Sequence, residues 1–508
     1  MPWDGWDEVS LVVSLTGDNL RPVTSTATDG PPIEYKQCAT CGFATPATRT
    51  RCHNCWNRLA DDAPLLDPEH AARLVERQEV FAEERAETDR ARARRRRLIL
   101  GGIALALSLW FAWWFYGAFI YSPPPVPEAS NPSLQLLTGE NVWATANGDR
   151  YGSRQVDATV DLAAPEAWSV SLGLAPATPL VADAERVYVV TEDRITAVAV
   201  ADGSIAWERE LQGAPYGAPT LAAGRLYLGL RAGQLLALDA ATGDLVFQSL
   251  NTGTRFGASP IIVDGYAYLF GIGDVIAFDA EDGELLWSTP NRGGVAFTSP
   301  VVTEGYVAGV TGTEVLVFDR GNGAQTFFYE FLRANPRATL ARDGVVYVSS
   351  SRYTVAFEDT SGRPWWEQWR AVWNQFWIWG MTPNVPIPER LWQNNDPPIE
   401  DSFPGTFAGD LLVLVGRDGE MQALVLADGA EAWRVAPAPE GADTVVAGPL
   451  STRSGILLPF EDRVALYDPS SGALIGERPL EGARLTDVMV TGDGLYTLDA
   501  AGTLTAFR

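Results

Sequence analysis

The chain has 508 residues, of which 46% are hydrophobic and 10% aromatic, so a disordered or collagen-like chain is excluded. Sixty-four acidic against 38 basic residues give a net charge of −26, and such a chain repels the phosphates that dominate nucleic-acid binding. Four cysteines are too few for a disulfide framework in a chain of this length.

The four cysteines follow an N-terminal tail of residues 1–35 and lie close together in the sequence. They form two Cys-x-x-Cys pairs, namely Cys38 with Cys41 and Cys52 with Cys55. Two such pairs can present four thiolates to one tetrahedral Zn²⁺ ion, and a four-Cys site leaves no open coordination position for catalysis. The segment resembles the small zinc ribbons of bacterial membrane and regulatory proteins. We therefore predict a zinc ribbon with a structural Zn²⁺ over residues 36–60.

Three other uses of the cysteines are less favoured. Two disulfides would need an oxidising compartment, whereas the topology argued below places the segment in the reducing cytoplasm. A redox Cys-x-x-Cys site normally belongs to a βαβ pattern, and haem attachment needs a histidine where Gly42 and Trp56 stand. His53 is interpreted as a bystander.

Residues 67–97 are predicted to form one charged helix. Asp67 suits the N-cap position and Pro68 the first helical position. Acidic residues cluster early and arginines late, which matches the helix dipole. The apolar stripe is thin, so we interpret this segment as a solvated helix that continues into the next segment. A coiled-coil dimer is the alternative.

Residues 98–121 contain no charged side chain. As a helix, this segment would be ~36 Å long, enough to cross ~30 Å of hydrocarbon with some tilt. Tryptophan and tyrosine crowd its C-terminal half, as in the aromatic belts of membrane proteins. The pattern predicts a single transmembrane helix and disfavours the alternative of a buried core helix.

The flanks of this span predict its orientation. Five of the six residues in Arg92–Arg97 are arginines, whereas residues 122–140 are Pro-rich and contain no basic residue. The positive-inside rule therefore places the N-terminus in the cytoplasm and the rest of the chain outside a plasma membrane. The arginine cluster is also placed to bind anionic lipid headgroups. Residues 122–140 are predicted to be an extended linker.

Residues 141–508 are self-similar with a period near 40. Seven anchor glycines follow one another at steps of 40, 40, 40, 39, 67 and 43: Gly203, Gly243, Gly283, Gly323, Gly362, Gly429 and Gly472. The fourth residue after the glycine is aromatic in six copies: Trp207, Phe247, Trp287, Phe327, Trp366 and Trp433. Such a period with several short strands per unit predicts the blades of a β-propeller.

The repeat resembles that of the pyrroloquinoline-quinone-type (PQQ-type) propellers. Their motif Ala-x-Asp-x-x-x-Gly-x-x-x-Trp is present from Ala277 to Trp287, and nearly so from Ala237 to Phe247. The resemblance implies that the tryptophan of one blade packs on the glycine turn of its neighbour.

Counting outer strands predicts an all-β, eight-bladed propeller with four-stranded antiparallel blades. Seven outer strands follow the glycines, and Ala167–Leu172 supplies an eighth without its own preceding strands. The C-terminus supplies inner strands without an outer one, so joining the two ends of the domain closes the ring and removes a sheet edge. Seven blades is the alternative.

Quinoprotein dehydrogenases share this propeller, so an enzyme has to be considered. The resemblance implies a ring of two adjacent cysteines beside their cofactor, yet no cysteine follows Cys55 here. The two histidines, His53 and His70, both precede the predicted span. We therefore expect a non-catalytic propeller without PQQ, and a PQQ-dependent oxidoreductase remains the minority alternative.

The 67-residue step contains a Trp-rich insertion, predicted over residues 363–402. Six of the 18 tryptophans lie between positions 365 and 379. A helix would place five aromatic side chains on one face: Trp366, Trp369, Trp373, Phe376 and Trp377. This face could cover a blade or the channel as ordinary core, dock a partner protein, or lie in the membrane interface.

Of the 64 acidic and 38 basic residues, 48 and 24 follow the predicted span, so −24 of the net charge belongs to that part. No nucleic-acid partner is therefore expected for the propeller. The leading hypothesis is a membrane-anchored scaffold for extracytoplasmic protein interaction and assembly, with envelope or membrane proteins as partners. The resemblance is to the outer-membrane assembly lipoproteins, although this chain lacks their lipobox cysteine. A transmembrane sensor that couples the propeller to the zinc ribbon is the second hypothesis.

Overall fold

The computed structural model describes residues 33–116, 127–173, 175–291, 298–331, 336–358, 375–382, 390–396, 399, 402–436, 444–480 and 482–508. The chain divides into two compact units, Met1–Tyr121 and Ser122–Arg508. Each unit is described by itself below.

The first unit contains a small cysteine-bearing module and one long helix. Strands β1 (Tyr35–Gln37) and β2 (Ala44–Pro46) form an antiparallel pair. Helix α1 (Pro68–Phe115) begins at its N-cap Asp67, whose carboxylate accepts a hydrogen bond from the amide of His70. The predicted charged helix and the predicted span therefore form one continuous helix of 48 residues.

Helix α1 includes a segment that is long and apolar enough to cross a membrane, and none of that segment is buried within the protein. The last residues of the predicted span, 117–121, lie outside the described residues. So do residues 1–32, most of the predicted N-terminal tail.

The second unit is a β-propeller, and the described residues form eight four-stranded antiparallel sheets, which confirms the predicted fold. The strands of blades 1 to 4, from the inner to the outer strand, are β4 (Val181–Ala182), β5 (Arg186–Val190), β6 (Arg194–Ala199) and β7 (Ile205–Glu210); β8 (Thr220–Ala222), β9 (Arg225–Gly229), β10 (Leu235–Asp239) and β11 (Leu245–Gln248); β12 (Ile261–Val263), β13 (Tyr266–Phe270), β14 (Asp274–Asp279) and β15 (Leu285–Pro290); and β16 (Val301–Val302), β17 (Tyr306–Val310), β18 (Glu314–Asp319) and β19 (Gln325–Glu330).

The remaining blades follow the same order. Their strands are β20 (Pro336–Arg342), β21 (Val345–Ser350), β22 (Thr354–Glu358) and β23 (Arg390–Asn394) in blade 5; β24 (Thr406–Ala408), β25 (Leu411–Val415), β26 (Met421–Val425) and β27 (Glu431–Val435) in blade 6; β28 (Leu450–Thr452), β29 (Gly455–Pro459), β30 (Arg463–Tyr467) and β31 (Leu474–Pro479) in blade 7; and β32 (Leu485–Thr491), β33 (Gly494–Asp499), β34 (Thr503–Phe507) and β3 (Glu166–Ser171) in blade 8. Blade 8 joins the two ends of the domain, because β3 pairs with β34 with Trp168 opposite Ala506.

Adjacent blades are joined by an aromatic ring that rests on a glycine turn. Each ring lies against the glycine of the next blade, where a Cβ would collide with it: Trp168 on Gly203, Trp207 on Gly243, Phe247 on Gly283, Trp287 on Gly323, Trp392 on Gly429 and Trp433 on Gly472. All six glycines have a positive φ between +68° and +80°. Only glycine combines this conformation with space for a flat ring.

The indole nitrogens add a second link between blades. Nε1 of Trp207 donates a hydrogen bond to the carbonyl oxygen of Ala240 at 3.1 Å, and Nε1 of Trp392 donates to that of Leu426 at 2.8 Å. The acceptors belong to the same turns as the glycines. An aspartate stabilises each such turn. In blade 2, the Asp239 carboxylate accepts hydrogen bonds from the amides of Ala241 and Thr242.

Blade 5 departs from the repeat predicted from the sequence. Its outer strand is β23, so Trp392 takes the aromatic position that the sequence pattern assigned to Trp366. Trp392 lies opposite Ala356, as Trp287 lies opposite Ala277 in blade 3. Residues 359–389 therefore connect β22 to β23. The insertion predicted over residues 363–402 extends beyond this connection at its C-terminal end, because residues 390–394 form β23. Gly362 and Trp366 lie outside the described residues.

The segment from residue 131 to residue 156 closes one end of the propeller. Its backbone exchanges hydrogen bonds with the inner strand, or the turn after it, of every blade; the partners are Ala182, Leu221, Gly265, Val302, Ala341, Thr406, Ser451 and Gly492. Ser130 also donates to the Asp279 carboxylate at 2.7 Å. The predicted linker, residues 122–140, is thus too long at its C-terminal end, because these backbone groups are paired with the propeller.

Candidate metal centre and propeller surfaces

The four cysteines come together in the first unit. Cys38 Sγ lies 3.6 Å from Cys55 Sγ, and Cys41 Sγ lies 3.5 Å from Cys52 Sγ. All four sulfur atoms lie within 4.8 Å of one another. Four sulfurs at the Zn–S distance of about 2.3 Å from one ion would stand about 3.8 Å apart in a tetrahedron. The four thiols can therefore hold a metal ion of this size.

Hydrogen bonds to the sulfur of Cys52 favour its ionised form. The amide of Asn54 donates to Cys52 Sγ at 3.4 Å, and the Thr45 hydroxyl donates to the same sulfur at 3.6 Å. Burial opposes ionisation of Cys52, but hydrogen bonds from the amides of Cys55 and Asn54 outweigh it and lower the thiol pKa to about 6. This sulfur is thus favoured as a thiolate, the form that binds metal.

The pKa values of Cys38 and Cys55 depend on burial, on nearby amides and on the neighbouring thiols. Burial raises the pKa of Cys38, but hydrogen bonds from the amides of Cys41 and Thr40 outweigh it, so its pKa is lowered. The amide of Asn57 favours the thiolate of Cys55, yet burial and the three neighbouring thiols raise its pKa to about 12. Four thiolates cannot share so small a volume without a cation, which is the chemistry expected of a metal centre.

His53 stands beside the cluster and outside it. Its Nδ1 lies 3.2 Å from the Thr45 hydroxyl, and its ring meets the Phe43 ring edge-on at 5.8 Å. Among the described residues, the thiols are the ligand atoms that come together, and the imidazole is not among them. The geometry agrees with the interpretation of His53 as a bystander.

The described part of the Trp-rich insertion presents apolar side chains to solvent. Residues 375–378 form a short helical turn that ends near Gly380, which has φ +73°. Five large apolar side chains in this stretch are exposed: Phe376 by 38%, Trp377 by 43%, Ile378 by 61%, Trp379 by 59% and Met381 by 69%. We call Phe376–Met381 the apolar segment. Trp366, Trp369 and Trp373, which the sequence placed on the same helical face, lie outside the described residues.

The closed end of the propeller contains a buried guanidinium. Arg154 donates to the carbonyl oxygens of Pro449 at 3.1 Å, Gly448 at 3.0 Å and Ala146 at 3.1 Å. Burial lowers its pKa to about 10, opposed by the negative charge of Asp487. Asp487 is also buried, accepts from the amide of Leu180 at 2.7 Å, and has a pKa raised by that burial. These groups fix the closing segment in place and are structural in character.

Neither the role of Trp392 nor that of the closing segment was predicted from the sequence, for different reasons. Trp392 carried a usable signal, because it precedes the next anchor glycine by 37 residues, whereas Trp207, Phe247 and Trp287 precede theirs by 36. The closing segment lies outside the repeat and has no spacing that reveals its partners.

A family comparison matches most of the propeller. A family model described as outer membrane protein assembly factor BamB matches residues 133–368 and 391–507. The chain belongs to this family. The gap in the match, residues 369–390, follows the third strand of blade 5 and ends at the first residue of its outer strand, so this part of the Trp-rich insertion is an addition to the BamB-type repeat. No sequence among curated proteins matches the chain significantly.

Solved structures similar to this BamB-family chain include a BamB protein, a quinohemoprotein alcohol dehydrogenase and a designed protein. BamB from Moraxella catarrhalis has a TM-score of 0.53 at 16% identity, with 68% of this chain and 99% of that chain covered. Quinohemoprotein alcohol dehydrogenase from Comamonas testosteroni has a TM-score of 0.53 at 15% identity, with 72% and 80% covered. The computationally designed protein Ika8 has a TM-score of 0.54 at 12% identity, with 68% and 99% covered. At these identities the likeness shows the fold alone.

Proposed function

We propose that this protein is a membrane-anchored, non-catalytic scaffold whose propeller binds envelope or membrane proteins outside the cytoplasm. The observation that carries the proposal is the exposed apolar segment of blade 5, Phe376–Met381. The name of the family, an outer membrane protein assembly factor, supports the same class of function. A transmembrane orientation with the cysteine module in the cytoplasm is supported by the arginines of Arg92–Arg97.

The apolar segment has the composition of a protein-docking surface. Surface patches that combine tryptophan with other large apolar side chains mark interaction sites, and tryptophan is enriched in binding hot spots. Ordinary core residues are buried, as Trp392 is in the same blade. Exposure of Ile378, Trp379 and Met381 therefore favours docking over the alternative that this segment covers a blade. We extend the proposed docking face to Trp366, Trp369 and Trp373 on the basis of their helical spacing.

The proposal of a non-catalytic propeller rests on sequence chemistry. No cysteine or histidine follows Cys55 and His70, so the propeller cannot form the adjacent-cysteine ring implied by the resemblance to quinoprotein dehydrogenases. It also has no imidazole for acid–base work. Dye reduction by the full chain after loading with PQQ and Ca²⁺ would contradict this part of the proposal.

For the cysteine cluster we propose a structural Zn²⁺. Four sulfur ligands at tetrahedral spacing suit this ion and leave no position for substrate. The metal would stabilise a module whose own buried apolar residues are few, with Leu59 packed beside the buried Cys38 and Cys52.

Co-purification from native membranes tests the scaffold. The variant Trp377→Ser/Trp379→Ser should lose bound envelope proteins that the unaltered chain retains, while its thermal unfolding temperature stays the same. Leu474→Ser/Ile475→Ser is the matched control, because these two side chains are 54% and 55% exposed on blade 7. Equal retention of partners by the two variants would contradict the docking role of the apolar segment.

A further inference from the structure

A second surface of the propeller lies at the end opposite the closing segment. Strands alternate in direction within a blade, so successive turns lie at opposite ends of the propeller. The turns after the inner strands lie at one end, and the turns between the second and third strands lie at the other. The closing segment bonds to Gly265 and Gly492, which belong to the latter turns. Arg231, between β9 and β10, and Ile272, between β13 and β14, therefore lie at the other end.

A pocket of about 680 Å³ lies at this end between blades 2 and 3. It is lined by Tyr216, Arg231, Ala232, Arg255, Phe256, Gly257 and Ile272. Its volume falls within the range of small-molecule sites, roughly 300–1,000 Å³. The walls combine two guanidinium groups with aromatic and aliphatic side chains, and no carboxylate belongs to the lining.

Both arginines are exposed, and neither forms an ion pair with a carboxylate in the described part of the chain. Arg231 lies over the ring of Tyr216, with its guanidinium carbon 5.4 Å from the ring centre. Some other propeller arginines form ion pairs, for example Arg225 with Glu281 and Arg434 with Glu420. The pocket thus holds two guanidinium groups that form no ion pair among the described residues, in a part of the chain that carries a net charge of −24.

The loops that carry these arginines are held by backbone hydrogen bonds. The amide of Arg231 donates to the carbonyl oxygen of Ala214 at 2.9 Å, and the amide of Ile272 donates to that of Arg255 at 2.8 Å. Isolated bridges join Pro215 to Leu230 and Phe256 to Gly271. The backbone of the pocket is thus fixed in advance, which lowers the ordering cost of binding.

We propose that this pocket binds a small organic anion with a flat apolar body, such as an aromatic carboxylate. The planar guanidinium groups of Arg231 and Arg255 would receive the carboxylate through charge-assisted hydrogen bonds. Tyr216 and Ile272, which are 38% and 44% exposed, would cover the apolar part. This site is separate from the apolar segment of blade 5, so the inference does not depend on the proposed scaffold function.

Calorimetric titration of the full chain in lipid nanodiscs tests the site, with 2-naphthoate as the probe and neutral 2-naphthamide as its uncharged match. We expect 2-naphthoate to bind at least about tenfold more tightly than the amide, the change expected for one charge-assisted hydrogen bond. Arg231→Gln/Arg255→Gln should remove this preference, and higher salt should weaken it. Empty nanodiscs give the partition of each probe into lipid.

Arg352→Gln is the matched control, because Arg352 is also exposed in the turn between the second and third strands, in blade 5. It should bind 2-naphthoate like the unaltered chain. Equal affinity for the acid and the amide would overturn the proposal. So would unchanged binding in Arg231→Gln/Arg255→Gln, provided its circular dichroism and unfolding temperature match those of the parent. Absence of binding to the parent at millimolar probe would also overturn it.

Discussion

The indole ring of Trp207 lies against Gly243 of the next blade, where an ideal Cβ would stand only 2.6 Å from ring atom Cε3. The same ring donates its Nε1 hydrogen to the carbonyl oxygen of Ala240. One side chain thus uses both its flat face and its polar edge to fix a neighbouring turn. Trp168, Trp392 and Trp433 make the same two contacts with their neighbouring turns. The contact between aromatic ring and glycine explains why the Gly-x-x-x-aromatic pattern dominates the sequence of the domain.

This packing predicts a large cost for a methyl group at Gly243. Gly243→Ala should destabilise the propeller by about 2–4 kcal/mol, since overpacking adds to the strain of a positive φ. Gly253→Ala is the matched control, because Gly253 has the same φ of +77° but no atom within 4 Å of the added methyl group. Gly253→Ala should lower the free energy of unfolding by only about 1 kcal/mol. Urea unfolding of both variants measures the difference, and equal destabilisation would show that the ring contact is unimportant.

The closing segment depends on the buried guanidinium of Arg154. Arg154→Met should destabilise the propeller by about 3 kcal/mol, because the carbonyl oxygens of Pro449, Gly448 and Ala146 lose their donors. Arg453→Met is the control, because the pair of Arg453 with Asp157 is exposed and should contribute less than about 1 kcal/mol. Urea unfolding again gives the comparison. A similar cost for both variants would contradict the structural role of Arg154.

The cysteine cluster should bind one metal ion per chain. Cys52→Ser should lose the ion, whereas His53→Ala should retain it, because the imidazole stands outside the four thiols. Elemental analysis of the purified chains measures both. Acidification should release the ion, since protons compete with the metal for the thiolates. Full metal retention by Cys52→Ser would contradict the four-thiol site.

The proposed orientation predicts that the propeller is reached from outside the plasma membrane. Leu250→Cys places a thiol where the native side chain is 88% exposed. A membrane-impermeant maleimide should label this variant in intact spheroplasts and leave the parent chain, whose cysteines all precede helix α1, unlabelled. Labelling of the variant only after lysis would reverse the proposed topology.

The sequence was informative where structure depends on local spacing. Gly243 and Phe247 could be recognised as a blade turn and its aromatic ring because both belong to one short repeat. Cys38 and Cys52 could be grouped for the same reason. The outer strand of blade 5 could not be placed from Trp366, because an insertion between the third and outer strands shifts the aromatic position to Trp392.

Features that depend on distant residues were not predictable. Arg154 meets Pro449 and Gly448 almost three hundred residues later, and no pattern in the sequence links them. The pocket of Arg231 and Arg255 was also not predictable from the sequence, because it depends on which turns lie at the same end of the propeller. Both features follow from the closed ring of eight blades, which brings residues from distant parts of the sequence together.

The central claim, that the apolar segment of blade 5 docks a protein, is tested most directly by photo-crosslinking. Ile378→p-benzoylphenylalanine places the reactive group on a side chain that is 61% exposed, and Ile475→p-benzoylphenylalanine is the control on blade 7. In native membranes, position 378 should give a discrete adduct with an envelope or membrane protein, and position 475 should not. Lipid adducts alone at position 378, or the same products at both positions, would contradict the account.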